Sequence, residues 1–372
     1  MRISVERSAL LKATGRAQGV VERRTTIPIL SNVLIRGEGG AATLQATDLD
    51  IEVKESVPAM VERAGACTAP AHTLHDIARK LPDGAMVTLD HDGAAGRLTV
   101  SAGRSRFTLP TLPTEDFPAM ADSEYAARYT APAPALRRLL EKASFAISTE
   151  ETRYYLNGVY LHVADAGGAK RLRAVATDGH RLACIDAEAP EGAESAPDVI
   201  VPRKTVAEAR KLLEDDAAEI VVSVSPTRIR FEAGDLTLTS KVIDGSFPDY
   251  TRVIPQGNDR RMAVDPQEFA RTVDRVATVS AERSRAVKLG LDEDRLVLTV
   301  NSPDSGSATD ELTVAYDGPP MEIGFNAKYL LEIAGQIDKA DAVFLFADSG
   351  APTLVREGED DSAVYVVMPM RV

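Results

Sequence analysis

Three times along its length the chain repeats one pattern, and that internal repeat limits the folds open to it more than any single residue does. Each copy opens with a short strand that runs into an amphipathic helix. Ile3 and Val5 precede Leu10, Leu11, Ala13 and Ala17; Tyr129-Thr130-Ala131 precedes Leu136, Leu139, Leu140 and Ala143; Met262-Ala263-Val264 precedes Phe269, Val273 and Val276. Steps of three and four residues give a helix one apolar face. Val5, Ala131 and Val264 stand 126 and 133 residues apart. A second marker keeps a similar interval. Thr68-Ala69-Pro70 leads into Leu74, Ile77 and Ala78, Val199 to Pro202 into Val206, Ala209 and Leu213, and Ile323-Gly324-Phe325 into Tyr329, Leu330 and Ile333; Pro70, Pro202 and Phe325 are 132 and 123 residues apart.

Between the helices the apolar period falls to two, as in Leu98-Thr99-Val100, Leu236-Thr237-Leu238 and Leu296-Val297-Leu298. That alternation marks strands with one buried face. The fold class expected is α+β, three repeated domains of two helices each, packed on antiparallel sheets. Proline-bearing runs, Asp116-Phe117-Pro118 and Phe247-Pro248-Asp249, precede the two joints, which places the domains at 1–122, 125–256 and 259–372.

The 372 residues carry 43 Lys+Arg against 56 Asp+Glu, a net charge of −13, so a uniformly basic nucleic-acid coat is excluded. Cys67 and Cys184 stand far apart in unlike contexts, which argues against a disulfide framework or a cysteine zinc site. Charge interrupts the N-terminus before an apolar leader can form, and no stretch is long enough to span a bilayer, so a cytoplasmic protein without membrane partners is expected. With 5% aromatics and no Trp, stacking platforms for single strands are disfavoured.

Bases gather on the helix segments: Arg7, Lys12 and Arg16, then Arg23-Arg24, Arg79-Lys80, Arg137-Arg138 with Lys142, Arg203-Lys204 with Arg210-Lys211, Arg271 with Arg275, and Arg283 with Arg285. Acids gather in loop-like runs such as Asp186 to Asp198, Glu214-Asp215-Asp216 and Glu357 to Asp361. Any one such helix reads as a solvated face. Six in register read as one basic surface suited to a phosphate backbone, contacted without base recognition.

For catalysis the one suggestive group is Thr177-Asp178-Gly179-His180-Arg181, an acid and a base for a hydrolase using Asp178 and His180. No second motif answers it, and Asp-Gly between strands is equally a tight turn. His72 and His75 fall three apart on a helix without a further ligand, and no phosphate loop or nucleophile elbow occurs. No metal, no cofactor and no catalytic residue are expected.

Arg153-Tyr154-Tyr155-Leu156-Asn157-Gly158, Ala176 to Leu182, Val201-Pro202-Arg203-Lys204, Phe247-Pro248-Asp249-Tyr250 and the ending Tyr365 to Arg371 together resemble the bacterial DNA polymerase III β subunit family, the sliding clamps. Thr47-Asp48-Leu49 and Gly103 to Phe107 carry the resemblance through the first repeat. It implies a head-to-tail homodimeric ring, with helices lining a lumen around double-stranded DNA. Twelve helices at ~10 Å spacing make a ring of roughly 38 Å diameter, leaving about 28 Å open once helix radii are removed.

The resemblance also implies site residues. DNA contacts fall on Arg24, Arg153, Tyr154, Tyr155, Lys204 and Arg285. A pocket for partner peptides, with a glutamine and a hydrophobic end, falls on Leu156, Thr177, Gly179, His180, Arg181, Leu182, Pro248, Arg252, Val253, Asn326, Tyr329, Val366, Met368, Pro369, Met370 and Arg371. Ring closure falls on Arg104, Arg106, Phe107 and Leu109 against Thr278 and Val279, with Asp304, Asp310 and Glu311 as a thin acidic counterpart. Implied partners are the replicative polymerase α subunit, the clamp loader, and other polymerases and repair or replication-control proteins that carry clamp-binding peptides. His72, Glu150, Ser246, Gly350 and Pro352 depart from the family pattern.

Overall fold

The computed structural model describes residues 1–93, 96–118, 120, 124–213, 219–280 and 285–371. Among them are six α-helices: α1 Arg7–Val20, α2 Ala71–Lys80, α3 Ala133–Ser144, α4 Arg203–Leu212, α5 Pro266–Ala277 and α6 Ala327–Ala334. Every one follows a strand with at most one residue between, the unit that the repeat predicts. Local chemistry starts them. The Glu6 carboxylate accepts from the backbone N–H of Ser8 and Ala9, Asp265 accepts from Glu268 with Pro266 in the first turn, and Asn326 accepts from Lys328. Each cap satisfies donors that the first turn leaves without carbonyls, worth about 1 kcal/mol.

Four sheets carry these helices, and their ladders are antiparallel. Two hold one repeat each: a five-stranded sheet from the first and a four-stranded sheet from the third. The other two cross repeats. Strand Leu236–Lys241 pairs with Ile51–Pro58, setting Leu238 opposite Val53, and strand Asp360–Val367 pairs with Arg181–Glu188, setting Val366 opposite Leu182. The second repeat is thereby shared, and the chain forms two compact units: 1–136, 190–197 and 204–242 in one, 137–189, 198–203 and 243–372 in the other. Burial follows the period-2 reading: Leu296, Leu298 and Val300 are buried while Arg295 and Asn301 are exposed.

The basic helix faces need correction. Arg23 and Arg24 lie beyond the end of α1. Arg283, Glu214, Asp215, Asp216 and the joint at Ala121 and Asp122 lie outside the described residues. Much of the remaining positive charge is already matched: Arg7 to Asp83, Arg16 to Glu55, Arg79 to Asp76, Arg137 to Glu141, Lys142 to Asp338 and Glu357, Lys211 to Glu208, and Arg275 to Asp310. A helical sequence pattern locates such bases, but carboxylates brought in from distant loops decide how much field they project.

Candidate functional site

Strands Ala169–Thr177 and Arg181–Glu188 form a hairpin whose turn is Asp178-Gly179-His180. Thr177 Oγ1 donates to the Arg181 carbonyl at 2.6 Å and accepts from Gly179 N–H at 3.1 Å. Asp178 Oδ1 accepts from the N–H of His180 and Arg181 at 2.9 and 3.1 Å. Gly179 has φ +88°, and a Cβ there would meet Arg153 Nη1 at 2.6 Å. Glycine alone takes this conformation without strain. These bonds overturn the hydrolase reading: Asp178 is committed to its own turn, and the exposed His180 ring lies over Tyr329, centroids 6.4 Å apart. Among the described residues no group of three or more His, Cys, Asp or Glu is placed to hold a metal.

Beneath the turn, Val175, Leu182, Cys184, Tyr250 and Val366 form one apolar cluster, with Tyr160, Phe247 and Ile254 packed on it. Burial pushes the Cys184 thiol up to about 12, so it stays protonated and inert. The residues expected to form a peptide pocket separate into a buried floor of Leu156, Leu182 and Val366 and a more accessible rim. On the rim Gly179, His180, Pro248, Arg252, Val253 and Arg371 are exposed, and Tyr329, Met368, Pro369 and Met370 are half-buried. Backbone bonds pin the tail that completes it, Met368 N–H to the His180 carbonyl at 2.9 Å and Met370 N–H to the Gly324 carbonyl at 2.7 Å. Arg252 is held by Asp249 at 2.8 Å.

Three expected pocket residues have other work. Arg181 is only 7% exposed: its guanidinium donates to Asp178 Oδ2 at 3.1 Å, to the Phe145 carbonyl at 2.7 Å and to Glu332, between the rings of Phe145 and Tyr329. It braces the rim from below. Asn326 is the N-cap of α6, and Thr177 is the staple of the turn. Their residue types suit ligand contact equally well, so sequence alone does not separate the two uses.

The expected DNA contacts also divide. Arg24 and Arg285 are exposed and have no charge partner among the described residues; Arg285 has φ +44°. Tyr154 is 54% exposed with its ring edge-on to Tyr155. Arg153, by contrast, makes a two-pronged pair with Glu150 at 2.8 and 2.6 Å, which holds that carboxylate below its ordinary range. Lys204 Nζ is enclosed by the Val20 carbonyl at 2.7 Å, Glu22 at 2.6 Å and Asp48 at 2.7 Å. Burial alone would lower the Lys204 pKa, but the bonds to Asp48 and Glu22 outweigh it and raise the value. This lysine is a structural clamp with every ammonium donor used.

Two of the sheet-edge strands among the described residues bear on ring closure. Strand Ser105–Pro110 ends the five-stranded sheet and Gly306–Thr313 ends the four-stranded one. Phe107 is 37% exposed beside exposed Arg104 and Arg106, whereas Leu109 is 6% exposed and belongs to its own core. Thr278 caps the end of α5, and Val279 is half-buried. Asp310 is paired with Arg275 at 2.8 Å and Glu311 with Arg295 at 2.5 Å, so the acidic counterpart is weaker than a count of carboxylates suggests.

Sequence reading missed the stack of Phe247, Tyr160 and His162 against the floor cluster. An alternation of rings on Tyr160 and His162 was its only signal. It also missed a groove of about 800 Å³ on the third-repeat sheet, walled by Lys288, Thr299, Glu322 and the tail Pro369 to Arg371.

Three family models match in series, described as the N-terminal, central and C-terminal domains of the DNA polymerase III beta subunit, over residues 1–121, 130–249 and 251–371. The chain belongs to that family. The beta sliding clamp of Caulobacter vibrioides is 54% identical over 372 residues, and that of Escherichia coli K12 is 37% identical over 374, each covering 100% of both chains. A Bartonella birtlesii sliding clamp solved with griselimycin bound superposes with a TM-score of 0.96 at 50% identity, covering 100% of both chains. A Caulobacter crescentus clamp solved with bound PEG also gives 0.96, at 54% identity over 100% of this chain and 99% of that one. Three α+β clamp domains and a sliding-clamp function follow, and the family is a non-catalytic processivity factor that acts on DNA with a polymerase. No described helix is long and apolar enough to cross a membrane.

Proposed function

We propose that two copies of this chain close head to tail into a ring around duplex DNA in the cytoplasm, with domains bounded at 1–122, 125–256 and 259–372. What carries this reading is the pair of open edges, Ser105–Pro110 with exposed Phe107 and Gly306–Thr313, because an unpaired strand edge is a template for another chain. Thr278 and Val279 flank that junction. Arg24, Tyr154, Tyr155 and Arg285 make loose phosphate contacts; Arg153 joins them on leaving Glu150, and Lys204 holds the backbone beneath. Retention is then topological, and affinity is free to be weak enough for sliding.

The replicative polymerase α subunit, the clamp loader, other polymerases and repair or replication-control proteins insert a short peptide between the Pro248–Val253 rim and the Met368–Arg371 tail. Apolar peptide ends meet the Leu182 and Val366 floor, while the pliable Met368 and Met370 side chains accommodate differing sequences.

The experiment is retention on nicked circular DNA after loading. Protein is expected to stay on the circle through gel filtration and to leave once the DNA is linearised. Equal retention on both forms would show binding by affinity and sink the ring.

A further inference from the structure

Behind the proposed peptide cleft lies an assembly of rings and charges that its rim residues do not include. Phe247 lies flat on Tyr160, centroids 4.9 Å apart and planes 4° apart, and Tyr160 lies on His162 at 4.5 Å and 25°. Tyr160 and His162 are two apart on strand Gly158–Ala166, so their side chains leave the same face. Tyr160 Oη donates to Asp198 Oδ2 at 2.8 Å. Tyr250 Oη sits 3.0 Å from His162 Nε2 and 3.1 Å from Arg173 Nη1, and Arg173 forks onto Asp186 at 2.6 and 2.7 Å.

Arg173 has only protons to give, so Tyr250 Oη accepts from it and has its own hydrogen available for His162 Nε2. A neutral His162 with its proton on Nδ1 suits that arrangement. The charged groups around it are Arg173, Asp186 and Asp198; burial is the largest influence and, with Arg173, outweighs the two carboxylates, keeping the ring easier to deprotonate than an ordinary histidine. Tyr250 is the hinge to the cleft: it packs with Leu182 and Val366, its carbonyl accepts from Val253 N–H at 3.0 Å, and it follows Pro248 by two residues.

We propose that His162 is a positioning residue for the partner cleft: its neutral ring accepts the Tyr250 hydroxyl proton and fixes the Pro248–Val253 wall, and a proton on Nε2 releases that wall. The inference rests on the reading of the cleft as a peptide site. In mild acid Nε2 becomes a donor facing an oxygen that already accepts from Arg173, and the Tyr250 hydrogen loses its acceptor. A second positive charge also arrives beside Arg173.

The test is anisotropy of a fluorescein-labelled synthetic peptide, with one glutamine, a hydrophobic C-terminal end and no histidine, titrated with the full chain between pH 5 and pH 8. Wild-type affinity is expected to hold at neutral pH and to fall only below the ordinary histidine range, by up to about 10-fold at the acid end of the titration, the size of one or two hydrogen bonds. His162→Gln keeps an acceptor that does not titrate, so it should bind within about 3-fold of wild type at pH 7.5 and lose most of the acid fall. His162→Leu removes the acceptor and should bind about 5-fold more weakly throughout. His180 on the rim is unchanged in both variants, so whatever it contributes cancels in the comparison. Thermal melts of each variant at pH 7.5 exclude unfolding as the cause. An acid fall as large in His162→Gln as in wild type overturns the positioning role alone. Peptide binding that survives Leu182→Glu at wild-type strength overturns the cleft reading, and the proposal with it.

Discussion

One turn is built twice in this chain, and the two copies have diverged in use. At Thr47 to Glu52, Thr47 Oγ1 donates to the Ile51 carbonyl at 2.9 Å and accepts from Leu49 N–H at 3.0 Å, while Asp48 Oδ1 accepts from the N–H of Asp50 and Ile51 at 2.9 and 2.8 Å. The same four bonds recur at Thr177 to Leu182. Both turns hand their second strand to a strand of the next repeat, Glu52 opposite Thr239 and Leu182 opposite Val366. What differs is what fills the frame. In the first turn Glu52 accepts from Gln45 Nε2 and Met120 N–H, so the equivalent floor is polar and occupied. In the second, Leu182 lies in an apolar cluster under an exposed rim. A shared hydrogen-bonded frame fixes where a cleft can form, and the residue opposite the neighbouring strand decides whether it takes an apolar guest.

The braces beneath the turns give the largest expected contrast. Arg181 is buried under its turn and Lys204 only half-buried against the other, both on an aspartate Oδ2. Arg181→Met strands Glu332, Asp178 Oδ2 and the Phe145 carbonyl, and should cost about 3–5 kcal/mol in chemical denaturation. Lys204→Met should cost less, about 1–2 kcal/mol, because the lysine is itself one third exposed and solvent screens its pair with Glu22. Equal losses would dissolve the distinction between a buried and a surface brace. The Lys204 contribution has a pH signature as well. Its folded pKa is raised, so the stabilisation is fully present below the ordinary lysine value and is lost as pH climbs through the folded one. The variant should therefore lack part of the wild-type decline in stability at strongly alkaline pH, read from urea midpoints.

Copying one floor into the other turn comes next. Leu182→Glu sets a carboxylate among Val175, Tyr250 and Val366 with no donor provided, and peptide affinity should fall about 100-fold or more. Affinity within a few-fold of wild type in a variant that still melts cooperatively would mean that the floor does not meet the peptide.

Sequence made much of this frame visible and little of its use. The threefold period, the six strand-helix units and the Asp178-Gly179 turn follow from local patterns, because helix faces, caps and tight turns depend on residues a few positions apart. Partners do not. Glu150 is three residues from Arg153, yet nothing in that spacing says that the two form a fork rather than face solvent. Lys204 meets Asp48 across 156 residues of chain and Arg181 meets Glu332 across 151, contacts that only the assembled sheets create. Nothing in the local pattern around Lys204 or Arg181 shows that each already has partners within the chain.

The smallest expected effect lies at the third residue of each turn, where the backbone is left-handed in both copies. Gly179 has φ +88° and Leu49 has φ +81°. A side chain in this region carries about 1–2 kcal/mol of strain, which glycine avoids at about 0.5–1 kcal/mol in unfolded-state entropy. Leu49→Gly should accordingly leave stability unchanged or raise it by up to about 1 kcal/mol, since Leu49 is 41% exposed and has little packing to lose. Gly179→Ala should lower it by about 1–2 kcal/mol, and its new Cβ should also displace the Arg153 guanidinium, the movable end of a long side chain. Urea midpoints of the two variants are therefore expected to move in opposite directions, or one to stay still while the other falls. A Leu49→Gly variant clearly less stable than wild type would show that Leu49 holds contacts worth more than its backbone strain, and the first turn would then have a packing role that the second lacks.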